Sequence, residues 1–182
     1  MRVKSSQTLS EADRRLVAAW AADCAEHVLA IFEAEAPNDN RLRALVERTR
    51  AYARGGLDTA EEIRRRFTGG VPADEIKSPA AKAVARAAGQ AVAVCHLGAH
   101  ALSAAACAAN AVSLAHPSEP QAAENEMHWQ LEHMSPEVRA ALRAIPPIDE
   151  LSSGPLGPGL NTSGRLGNII RTLQAGIAGT NT

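Results

Sequence analysis

Residues 78–115 read SPAAKAVARAAGQAVAVCHLGAHALSAAACAANAVSLA. Alanine dominates, proline is absent after Pro79, and glycine occurs only at Gly89 and Gly98. Alanine loses no side-chain entropy on entering a helix, so the stretch is helical, and its small side chains let neighbouring helices approach closely. Ser78 at the N-cap with Pro79 at the first helical position marks the start, and His116-Pro117 marks the end. One straight helix here would be roughly 55 Å long, against about 40 Å for a compact domain of this size. A bend or break near Gly89 or Gly98 is therefore expected, giving two helices or one kinked helix.

Outward from this stretch the chain continues as helices. Residues 11–35 form the first, with Ser10 as cap, Glu11 and Asp13 in the first turn, and Leu16, Trp20, Ala21, Cys24, Val28, Ile31 and Phe32 on its apolar face. Residues 41–54 form the second, ended by Gly55-Gly56, and 59–67 a short third, stopped by Thr68-Gly69-Gly70-Val71-Pro72. Helices over 120–132 and 135–143 follow, the latter with Ser135 as cap and Pro136 next. The fold is expected to be all-α, a compact bundle of five or six helices with an irregular C-terminal tail. The body spans 9–144 and the extension 145–182. Within the extension, Gly-, Pro- and Ser-rich residues 148–164 read as linker or disorder. Leu166, Ile169, Ile170, Leu173 and Ile177 lie on one stripe, which suits a short amphipathic helix docking on the body or on a partner.

The 182 residues carry a net charge of −1, which argues against generic nucleic-acid binding. Arg64-Arg65-Arg66 is the only basic triplet; it reads as a solvated helix face or as a contact patch for an acidic partner. The N-terminus shows no signal-peptide pattern, so a cytoplasmic location is expected. The uncharged run 87–118 is long enough to span a bilayer, but it holds Gln90, His96, His100 and Asn110 and is poor in large apolar residues, so a membrane span is rejected. Only five residues are aromatic, so single Leu, Ile and Trp positions should carry more of the core than usual. The three cysteines lack a Cys-x-x-Cys spacing and read as small buried apolar residues.

Two clusters could carry chemistry. His96 and His100, four apart, would share one helix face and could bind a metal, with Asp23, Glu26, His27 or Glu124 completing the set. No His-Glu-x-x-His or Glu-x-x-His pattern supports this, and the plainer account is two histidines bonded to a neighbouring helix. Trp20, Asp23, Cys24 and His27 form the second cluster. A buried Asp23 would need a partner, which His96, His100 or Arg50 could supply. This cluster reads as a polar network that sets helix register, or alternatively as a ligand pocket. The pairs Cys24/His27 and Cys95/His96 do not make convincing nucleophiles, and no phosphate-binding loop is present. No catalytic residue, cofactor or metal is assigned.

The blocks Trp20-Ala-Ala-Asp23-Cys24-Ala25-Glu26-His27, Arg48-Thr-Arg50-Ala-Tyr52-Ala-Arg54-Gly55, Gly89-Gln90 through His96 to His100-Ala101-Leu, and Trp129-Gln130 followed by Pro136-Glu137-Val138-Arg139 together resemble a bacterial family of immunity proteins from polymorphic toxin systems, the immunity-five-like all-α domain. The resemblance covers about residues 9–144. It departs at Asp39-Asn40-Arg41-Leu42-Arg43, where the family pattern is Asp-Asp-Arg-Pro-Arg, and in the tail. It implies a small cytoplasmic helical protein, not an enzyme, that binds and neutralises a cognate toxin. The alternative is a helical protein that binds a small molecule or metal between its helices through Asp23, His27, His96 and His100, acting by sequestration or as an enzyme.

Overall fold

A computed structural model describes residues 5–159 and 162–179. All regular structure among them is helical. The elements are α1 (Glu11–His27), α2 (Leu29–Glu35), α3 (Arg41–Ala53), α4 (Thr59–Arg65), α5 (Pro79–Ala93), α6 (His100–Ala115), α7 (Ala122–Glu132), α8 (Pro136–Arg143) and α9 (Gly164–Ala178). Nine α-helices thus stand where five or six were expected.

The Ala-rich stretch decides the layout. It folds as two helices, α5 and α6, that pack on each other more extensively than any other pair. Ser78 Oγ accepts from Ala81 N–H at 3.1 Å, so the start signal is used as read. The break spans residues 94–99, beside Gly98 rather than Gly89, which lies inside α5. Its cause is tertiary. The amides of Gly98 and Ala99 leave the helical pattern and donate to the carbonyls of Thr8 and Gln7, at 3.2 and 3.1 Å. A Cβ at position 98 would lie 2.4 Å from Leu9 Cδ1, so only glycine admits this close approach.

α6 is the central rod. Residues 101–109 and Ala111 are all buried, and α1, α5, α7 and α9 pack around the helix. A helix that is apolar on all sides belongs inside a core, and alanine lets four neighbours crowd it. No helix among the described residues is long and apolar enough to cross a membrane.

The expected first helix is two. Val28 adopts φ −105° and ψ 2°, which ends α1 and starts α2. Leu16, expected on the apolar face, is exposed, and Val17, Ala18 and Ala25 are buried instead. Arg15 of α1 clasps the end of α3, the following loop and the start of α4: it donates to Tyr52 O, to Leu57 O at 3.2 Å and to Thr59 Oγ1 at 3.2 Å. The third helix stops at Arg65, short of Phe67.

The segment read as linker is packed. Leu156 is wholly buried. Its N–H donates to Gln7 Oε1 at 3.1 Å, and Gln7 Nε2 donates to Ser153 O at 2.6 Å. The same N-terminal strap therefore stitches both the α5–α6 break and the tail. Residues 160 and 161 of the expected linker lie outside the described residues. α9 docks on the body: Ile169, Ile170, Leu173 and Ile177 are buried and Leu166 partly so. Arg139 and Arg143 of α8 each donate at 2.8 Å to the carbonyls of Gly176 and Ile177, satisfying the C-terminal end of α9.

Candidate functional site

Trp20, Asp23, Cys24 and His27 lie on the last three turns of α1, at helical spacing, and face α3 and α7. Trp20 is buried, and its indole N–H donates to Gln130 O at 2.9 Å. The Gln130 amide, also buried, donates to Ala105 O at 3.1 Å and to Glu126 Oε1 at 3.0 Å. The second Glu126 oxygen lies 2.8 Å from His27 Nδ1. The His27 ring stacks on Trp129, with centroids 3.6 Å apart and planes 2° from parallel, and Trp129 also stacks on His133 at 4.2 Å. A chain of contacts thus runs from the core to the surface and ties α1 to α7 and α6.

Asp23 and Glu26, three apart, would repel each other on one helical face. Arg50 of α3 lies between them, donating to Asp23 Oδ1 at 2.7 Å and to Glu26 Oε2. These bonds raise the Arg50 pKa against the opposing effect of its partial burial. Of the three partners considered for Asp23, it is Arg50, not His96 or His100, that meets it. Asp23 lies at the edge of the face, with its side chain 40% exposed. Cys24 lies in the core as an apolar residue. Burial, with Glu126 and Asp23 adding to it, pushes its thiol well above the usual range, so it is not poised as a nucleophile.

Asp23, Glu26, His27, Trp129 and His133 border an open concavity of about 550 Å³. The polar cluster therefore ties helices together on its inner side and borders an open recess on its outer side. Asp23 and Glu26 put two carboxylates on its rim, while His27 and His133 cover the two faces of the Trp129 indole.

His96 and His100 lie elsewhere, and not on one helix face. His96 sits in the 94–99 turn and His100 is the first residue of α6. His100 Nδ1 lies 2.7 Å from Gln90 Oε1, an acceptor, so this nitrogen carries the proton and the histidine bonds a neighbouring helix. Burial, then His96 and then Arg66, lower its pKa to about 4. His96 is also lowered, by burial and by Arg66 and Arg14. Both groups thus favour the neutral form among arginines. Neither borders the concavity at Asp23 and His27, so the four-residue ligand set is not assembled. Among the described residues, no group of three or more His, Cys, Asp or Glu side chains is placed to hold a metal ion.

Sequence reasoning missed Glu126 and Gln130 as the inner members of the network. Charged and amide residues on a mixed helix read as solvent-facing, and only the approach of α1 and α6 buries them. The one available signal was Trp129 four residues before His133, a spacing that stacks rings on a helix face.

No curated protein and no solved structure matches the chain. A family described as "Imm-5 like putative immunity protein" matches residues 7–137, from the Gln7 strap through α7 into α8. That span includes every residue of the α1–α3–α7 network, and the chain belongs to this immunity-protein family.

Proposed function

We propose that the protein is a non-enzymatic, cytoplasmic immunity protein that neutralises a cognate bacterial toxin by binding it directly. The observation that carries this reading is the family match over residues 7–137. The state of the reactive side chains in that span supports it. Cys24, Cys95 and Cys107 are buried thiols, His27 is paired and stacked, and the carboxylates of Asp23 and Glu26 share Arg50. Groups engaged in holding helices together suit a rigid binding body better than a reaction centre. The test is co-expression with candidate toxin domains, each assayed for growth inhibition alone and together with this chain. A stoichiometric complex and restored growth are expected; restored growth without a complex would count against direct binding.

One observation favours a second reading, a cationic guest in the recess. Asp23 Oδ2 and Glu26 Oε1 accept no hydrogen bond among the described residues, and both residues border the concavity. Calorimetric titration with tetramethylammonium and with zinc checks it. Heat that disappears in Asp23→Asn would support this reading, and absence of heat with both probes would remove it.

A further inference from the structure

The chain has two phenylalanines, and they have opposite fates. Phe32 is buried, whereas Phe67, just past the end of α4, is 84% exposed. A large apolar ring in water is unfavourable, and a loose loop would let it fold back onto the surface. This turn is held instead. Thr68 N–H and the Thr68 hydroxyl both donate to Arg65 O, at 2.9 and 2.7 Å. Arg48 of α3 donates to Thr68 O at 3.1 Å. Arg48 is itself anchored at 2.5 Å by Glu62, which is 2% exposed. Gly69, at φ +89°, then carries the chain away in a conformation that side-chain-bearing residues rarely adopt. Phe67 is presented on a braced turn.

Its surroundings are basic with an apolar floor. On one side a concavity of about 600 Å³ is floored by Leu45, Ala51 and Leu57 and edged by Arg48, Arg54 and Arg65. On the other, a concavity of about 260 Å³ is edged by Arg66 and Arg86. Leu45 and Thr68 belong to both, so the two form one surface with Phe67 rising between them. Glu47 is the one carboxylate in either lining. Arg54, Arg66 and Arg86 have no carboxylate partner among the described residues, and the Arg66 guanidinium lies 4.4 Å from the Phe67 ring centroid.

We infer that this face, the 66–70 turn with the adjoining surfaces of α3 and α5, docks an acidic surface of a protein partner, with Phe67 entering an apolar recess and the arginines pairing with carboxylates around it. Aromatic and arginine side chains supply most hot spots of protein interfaces. A braced turn loses little conformational freedom on binding, and the unpaired arginines would speed encounter with an acidic patch. A phosphate backbone fits less well. The chain has a net charge of −1, and nucleic-acid binding draws its affinity from many phosphate contacts rather than from an apolar floor. The inference rests on the direct-binding reading and names the chemistry of the partner.

The test uses the full chain and the toxin domain that co-expression identifies as its target, with calorimetry at low and high salt. The variants are Phe67→Ala and the double Arg54→Glu, Arg86→Glu. These side chains are exposed, so circular dichroism and melting temperature should match the wild type; if a variant melts early, Phe67→Ser and Arg54→Gln, Arg86→Gln replace it. Weakening of about tenfold or more is expected for each change, and the arginine double should lose most of the salt dependence. A wild-type complex that both variants form equally well overturns this inference and leaves direct binding standing. Absence of any wild-type complex overturns both. Binding of a random-sequence DNA duplex through these arginines, more tightly than the toxin domain, also overturns it.

Discussion

The imidazole of His27 and the carboxylate of Glu126, 99 positions apart in the chain, meet at 2.8 Å. This contact closes the network that begins at Trp20, and Glu126 is its hinge: one oxygen faces His27 and the other accepts from buried Gln130. Glu126→Ala removes the acceptor and leaves the Gln130 amide with one of its two acceptors. We expect a loss of about 2 kcal/mol, read as a lower urea midpoint with unchanged slope. Glu126→Gln, which keeps one acceptor oxygen, should cost less.

Arg50 separates two like charges that α1 places three residues apart. Arg50→Met keeps the apolar stem and removes the fork. Because all three side chains are partly exposed, the expected loss is about 1 kcal/mol. It should shrink at high salt, which thermal melts across a salt series will show. Arg50→Lys should recover only part of the loss, since a single ammonium does not reproduce the two-pronged contact.

His100 makes stability depend on pH. Its folded pKa of about 4 lies below the ordinary 6.5, so the unfolded chain takes up the proton first. The stabilising contribution is fully present above about pH 6.5 and is lost as pH falls towards 4, by up to about 3 kcal/mol. The groups facing the ring are His96, Arg66 and Gln90, and none is a carboxylate that would offset the effect. Denaturant titrations between these pH values should show a smaller fall for His100→Gln than for the wild type.

Leu156 tests the extension. It is wholly buried, and Gln7 clamps the segment that carries it. Leu156→Ala should cost about 2–5 kcal/mol through lost burial and the cavity left behind. If the extension unfolds together with the body, limited proteolysis will spare residues 145–159 in the wild type and cut them early in this variant.

The local signals were readable where chemistry close in sequence controls them. Ser78-Pro79 and Ser135-Pro136 start helices as their capping chemistry requires, with Ser135 Oγ accepting from Val138 N–H at 3.2 Å, and the α9 stripe buries as its spacing indicates. What failed depends on distant contacts. Val28 interrupts no apolar pattern, so the α1–α2 break left no mark in the sequence. The spacing of His96 and His100 implied a shared face only while the helix was continuous, and the strap at Gln7 and Thr8, with Leu9 against Gly98, is what interrupts it. Half of the candidate site was legible: Trp20, Asp23, Cys24 and His27 do gather, and Arg50 answers Asp23. Glu126 and Gln130 were not, because burial of a charge shows only when its partners are in place. Residues 148–159 misled for the converse reason: their composition is loop-like, yet one leucine and one glutamine tie them down.

On the proposed reading a rigid helical body neutralises a toxin by surface binding, with the α1–α7 network as internal support and the Phe67 face as contact. Hydrogen exchange on the complex with the cognate toxin domain tests this reading. Slowed exchange should concentrate in residues 47–54 and 63–70, with the amides around Asp23, His27 and Trp129 unchanged from the free protein. Slowed exchange confined to the Asp23–Trp129 recess, or none on mixing, would contradict it.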